Sequence, residues 1–170
     1  MSSPSATRRF RFYLLAVAIW LSGCATSQIE HGVYVNAAKG FTVPLPAAGW
    51  HIERGRDPDL LLRHQDGDAG IMVRATCGDE RVDRPVEILG RHLFFGVHAQ
   101  EQRTAVHGEA VETFLRGHVG GRGLLFHGIT LKGPACVYDL VLFATPDHYA
   151  AANEVFEALV LQLEFGRGGT

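Results

Sequence analysis

Three cysteines, nine histidines and one acid inside an apolar run are the residues of this chain whose types could do chemistry. The cysteines are Cys24, Cys77 and Cys136. A thiolate can act as nucleophile, metal ligand or half of a disulfide. The histidines are His31, His51, His64, His92, His98, His107, His118, His127 and His148, and no two have the HExxH spacing of a zinc helix. His92 and His98 fall on a predicted helix but six residues apart, too far round to share a face. A hairpin about Gly120-Gly121 sets His118 opposite Gly123 and His127 opposite Phe114, so these two should not meet. The set reads as scattered surface histidines, and no metal site is expected. Asp139 interrupts the apolar run 136–144. A buried carboxylate is costly without a partner. The pattern therefore predicts a pair with an arginine such as Arg74 or Arg116, a place at the sheet rim, or an acid in a pocket. Ser27 is the only serine after residue 24, which argues against a serine hydrolase. No phosphate loop or nucleophile–base pair is visible, and no cofactor is implied. Phe94, Phe95, Phe126, Phe143 and Phe156 read as core aromatics.

Cys24 has the most specific setting. Residues 1–11 carry Arg8, Arg9 and Arg11, an apolar run of about ten residues follows from Phe12 to Leu21, and Leu21-Ser22-Gly23-Cys24 comes next. A positive segment, a short apolar run and small residues make an export signal, too short to span a bilayer. The last four residues resemble the lipobox of bacterial lipoproteins. That resemblance implies that the Cys24 thiol receives diacylglycerol, that residues 1–23 are removed, and that the new N-terminus is acylated. Two or three acyl chains anchor far more firmly than one. Ala25, where aspartate would favour inner-membrane retention, points to the outer membrane. Residues 24–32 read as a lipidated tether whose polar part, 25–32, reaches at most about 28 Å, so the domain is expected to face the periplasm close to its bilayer. Taking Cys24 for lipid leaves Cys77 and Cys136, which can pair in an oxidising compartment or remain as two buried thiols.

Composition supports one globular domain: 46% of residues are apolar and 20% charged. Removing residues 1–23 takes away three arginines and no acid, moving the net charge from −2 to −5. An acidic domain has no electrostatic footprint for nucleic acid and no attraction to anionic lipid. Membrane contact is thus expected through the N-terminal lipid.

The elements expected to carry these residues follow from periodicity and turn signals. Residues 33–35 and 41–45 read as a hairpin whose second strand ends near Pro44 and Pro46. Residues 59–64 and 70–77 read as a second hairpin, with Ile71, Val73, Ala75 and Cys77 on the buried face. Pro85 opens a predicted helix over 85–99 with an apolar stripe through Val86, Leu89, Leu93 and Val97. Long strands are predicted over 101–118, broken at His107-Gly108, and over 122–132 and 135–145, the last apolar on both faces and therefore central. Thr145-Pro146-Asp147 starts a helix running to about 163, with an oxygen-bearing cap and proline in the first turn. Residues 166–170 read as a disordered tail.

Strands and helices in this order give an α+β fold, an antiparallel sheet of about six to seven strands with helices packed on it. Phe41-Thr42-Val43-Pro44-Leu45-Pro46 followed by Gly49-Trp50 resembles the N-terminal hairpin of the Mog1/PsbP-like superfamily, which includes periplasmic lipoproteins of the DcrB type. The likeness covers 33–165 and implies an α/β/α sandwich, not an activity. The expected role is a non-catalytic binding or assembly module of an envelope complex, with an envelope protein as partner. A carrier or sensor of a small apolar ligand held between sheet and helix is the alternative, and an enzyme using Asp139 and a nearby histidine is the third.

Overall fold

A computed structural model describes residues 27–53, 57–78, 83–91, 93–94 and 96–166. The expected export segment, the lipobox-like residues with Cys24, His92, Phe95, and residues 167–170 of the predicted tail lie outside the described residues.

Seven strands form the main sheet: β4 (Trp50–Ile52), β5 (Leu60–His64), β6 (Ala69–Cys77), β7 (His98–His107), β8 (Ala110–Val119), β9 (Arg122–Lys132) and β10 (Cys136–Ala144). Their order is β4-β5-β6-β10-β9-β8-β7, all antiparallel. β10 is the central strand its two-faced apolar pattern predicts, fourth of seven and buried at every position but Phe143. A smaller sheet, ordered β1-β2-β3-β11, joins β1 (Ser27–Glu30), β2 (Val33–Asn36), β3 (Phe41–Pro44) and β11 (Glu164–Phe165). β1 lies inside the stretch read as a tether, and Gly166, read as tail, donates its N–H to the Gly40 carbonyl. β1 and β11 lack the apolar alternation that identifies strands, because their residues are exposed. Pairing with a neighbour's backbone holds them.

The helix α2 (Pro146–Leu161) follows the predicted start, with Pro146 in its first turn. Thr145 is its cap residue, but the hydroxyl meets the His148 ring at 3.0 Å and not a helix N–H. Ala152, Phe156 and Leu159 are buried against Ile71, Leu140 and Leu142 of the sheet, and Tyr34, Phe41 and Val43 of the small sheet complete this core.

The predicted helix 85–99 is a correction. Only Val86–Gly90 is helical, here α1. Leu93 and Val97 still face the sheet, packing with Leu115, Phe126 and Val141. They do so through turns closed by Leu93 N–H to Gly90 O and Val97 N–H to Phe94 O. Gly96 at φ +88° then turns the chain into β7, which starts at His98, a residue the longer helix would have contained. The apolar stripe was a true burial signal, but glycines at 90 and 96 let successive turns satisfy it.

Cys77 and Cys136 stand directly opposite one another on β6 and β10 and are joined by a disulfide. Cys77 was expected on the buried side, yet it is exposed because β6 ends there; Cys136 is buried. Beside the bridge, Lys39 donates to Asp59 at 2.8 Å and to the Ala75 carbonyl at 2.7 Å, while Asp59 accepts the Ala75 N–H at 2.7 Å. This cluster fastens the small sheet to the end of β6.

Candidate functional site

The two helical layers cover different parts of the main sheet. α2 packs on β6, β9 and β10 from one side. α1 packs on β8 and β9 from the other. The α2 face of β8 and the whole of β7 are left bare, and all ten residues of β7 are exposed.

Register decides what this bare end presents. Phe114 of β8 stands between Arg103 of β7 and His127 of β9. One step along, Arg116 stands between Glu101 and Leu125. These six side chains share one face, since cross-strand partners point the same way and so do residues two apart along a strand. Tyr149 of α2 borders them. Together with Leu115 and Phe126, Phe114, Leu125 and Tyr149 line an open groove of about 330 Å³ with Glu101, Arg103 and Arg116 also in its lining. That volume is at the lower end of the range for small-molecule sites.

The rim is charged. Arg103 donates to Glu101 at 2.7 Å, and this bond with the guanidinium's charge holds the Glu101 carboxyl below its usual range. The Arg116 charge acts on Glu101 in the same direction. Burial, aided by the negative charges of Glu157 and Glu112, pushes the Tyr149 hydroxyl up.

Beneath the groove floor lies a polar cluster. His127 is 1% exposed. Its Nδ1 is 2.7 Å from Asn153 Oδ1 on α2, and its Nε2 is 2.8 Å from Glu112 Oε1 on β8. Asn153 in turn donates its amide to Glu157 at 2.6 Å, which fixes the amide oxygen toward the ring. Each ring nitrogen thus faces a side-chain oxygen, one on α2 and one on β8. Phe114 stacks on the imidazole at 4.2 Å and Phe156 meets it edge-on at 4.8 Å. This corrects the reading of all nine histidines as surface residues: His127 ties β8, β9 and α2 together. The expected register, His127 opposite Phe114 and His118 opposite Gly123, is the one found. Among the described residues no group of three or more His, Cys, Asp or Glu could hold a metal ion.

Asp139 faces the other side of the sheet. It is 6% exposed and accepts the Thr130 hydroxyl at 2.8 Å. Arg74 stands opposite it in the ladder, as expected for a structural neighbour, but the Arg74 guanidinium binds Asp57 at 3.0 Å. Arg116, the other expected partner, lies on the opposite face. Arg74 and Arg84 join Asp139 in a cavity of about 390 Å³ under α1, with Met72, Ile88, Leu89 and Leu93. His127 and Asp139 are on opposite faces, so they share no cleft. Of the described histidines on main-sheet strands, only His51 is on the Asp139 face, and it sits on β4, three strand spacings or roughly 14 Å away.

Sequence reasoning missed the groove, although its signal was present. The register about Gly120-Gly121 already stacks Phe114 beside His127. The strand His98–His107, with no apolar alternation, is the pattern of a strand that nothing covers.

No family model matches the chain, and no curated protein matches it. Solved structures do. The chain is similar to cyanobacterial PsbP (CyanoP) from Synechocystis, at TM-score 0.50 and 15% identity over 85% of this chain and 95% of that one. A protein from Bacteroides thetaiotaomicron aligns at TM-score 0.58 and 12% identity, over 84% of this chain and 51% of that one. LpqN of Mycobacterium tuberculosis, a protein involved in cell envelope biogenesis, aligns at TM-score 0.53 and 16% identity, over 74% and 83%. The fold is the PsbP-like α+β sandwich. Identities this low carry the fold and no activity.

Proposed function

We propose that this chain is a membrane-anchored, periplasm-facing lipoprotein that acts as a non-catalytic binding or assembly module of an envelope complex, favouring the outer membrane. The observation that carries the binding role is the bare end of the main sheet. Phe114 is 39% exposed beside a charged rim, on a rigid strand backed by the His127 cluster. Apolar floor and polar rim are the anatomy of a protein-binding surface. The likeness of fold to a protein of envelope biogenesis is compatible with this role. The anchor rests on Leu21-Ser22-Gly23-Cys24.

Two measurements in cells test the two halves. A photo-crosslinker at Phe114 should capture one envelope protein reproducibly; no reproducible product contradicts the binding role. Labelled palmitate should enter the parent chain and not the Cys24→Ser variant, which should leave the membrane fraction. Equal fractionation of the two would remove the anchor.

The groove favours a second reading, a carrier or sensor of a small apolar ligand between sheet and helix. Native mass spectrometry of the soluble domain should then show bound lipid after incubation with lipid extract, and apo protein alone would discard this reading.

A further inference from the structure

β7 ends the main sheet. It pairs with β8 on one side only, so alternate backbone N–H and C=O groups along its outer side meet no strand among the described residues. Ten residues is long for an exposed edge, and it contains no proline or lysine. Its charged residues are Glu101 and Arg103, opposite in sign and two apart, hence on one face.

We propose that this edge receives β7 of a second copy of the same chain, antiparallel, about a two-fold axis at Gln102. The charges select this register. An axis at Glu101 would set that acid against its own copy, and an axis at Arg103 would set two guanidiniums together. At Gln102, Glu101 faces Arg103 of the second copy at both ends, and opposite charges across strands stabilise pairing where like charges oppose it. Within each copy Arg103 already binds Glu101, so the four side chains close into one alternating ring. A two-fold normal to the sheet keeps both α2 helices on one side. Two seven-stranded sheets become one of fourteen, and the two grooves, each bordered by Glu101 and Arg103, meet across the axis.

The ladder between copies is short. A bulge between Ala99 and Glu101 interrupts the edge, so in this register the two copies pair regularly only over Glu101 to Arg103. So small a contact is weak in solution. Confinement on a membrane, which rests on the anchor proposed above, raises the effective concentration and with it the dimer. The pairing itself depends on neither the anchor nor any groove ligand.

Cysteine crosslinking of the full chain in membranes tests the register. Gln102→Cys should give a disulfide-linked dimer, because directly opposed residues lie within disulfide reach. Thr104→Cys should not, since its own copy is displaced by roughly 13 Å along the strand. Glu101→Arg in the Gln102→Cys background should cut the dimer at least fivefold, and adding Arg103→Glu should restore it. All of these residues are exposed, so the fold tolerates the changes. A monomeric Gln102→Cys protein, an equal yield from Thr104→Cys, capture of a different protein at position 102, or no rescue by the double exchange would each overturn the proposal. Loss of the crosslinked dimer with an intact partner crosslink at Phe114 would leave the binding role standing.

Discussion

Phe114 lies stacked on His127 with ring centroids 4.2 Å apart, one ring 39% exposed and the other 1%. The groove floor is thus built on a buried side chain that binds α2 through Asn153 and β8 through Glu112. His127→Ala removes both hydrogen bonds and the support under Phe114. We expect a loss of about 2–4 kcal/mol in urea unfolding. A loss below about 1 kcal/mol would show that the cluster does not hold the site together.

Gly90 provides a test in which propensity and packing oppose each other. Alanine is favoured over glycine in a helix by about 1 kcal/mol. A Cβ at 90, however, would lie 2.5 Å from Cγ1 and 2.9 Å from Cβ of Val111, which is fully buried. Gly90→Ala should therefore destabilise, by roughly 1–3 kcal/mol. A rise in melting temperature would mean that α1 does not sit tightly on β8.

The bridge between Cys77 and Cys136 closes a 59-residue separation, for which the chain-entropy relation gives about 4 kcal/mol. The double Cys→Ser variant should lose roughly 2–4 kcal/mol, and reductant should then have no further effect on its unfolding midpoint. A reductant-sensitive midpoint in that variant, or none in the parent, would contradict the pairing.

Tyr138 and Tyr149 both have hydroxyls raised above their usual value of 10.0, chiefly by burial. The folded chain keeps these protons at a pH where the unfolded chain releases them. Their contribution is present in full below about pH 10 and is lost as pH rises through the raised folded values. Unfolding free energy should fall from about pH 10 upward, less steeply in Tyr149→Phe. An unchanged slope in that variant would show that Tyr149 is solvated and does not wall the groove.

Much of the architecture was legible. Both faces of Cys136–Ala144 are apolar, and only a central strand buries both. Gly120-Gly121 set the β8–β9 register to the residue, and Pro146 marked the start of α2. The losses have physical causes. The stripe Val86, Leu89, Leu93 and Val97 reports burial, but burial by successive turns and by a helix look alike until the glycines at 90 and 96 are weighed. β1 and β11 are held by backbone pairing, which side-chain patterns do not record. The site was harder still. A histidine's type says nothing of depth, and His127 becomes structural only when α2 delivers Asn153 to it. The groove exists because α1 and α2 are staggered, a relation between elements distant in sequence.

Crosslinkers at five exposed positions, on two faces of the domain, test the central claim most directly. Placed in intact cells at Arg103, Phe114 or Arg116 on the bare sheet, and at Glu154 or Ala158 on the outward side of α2, they compare exposed positions on one small domain. The account predicts partner capture concentrated at the first three and background yield at the other two. Equal yields across both groups, or capture from α2 alone, would contradict it.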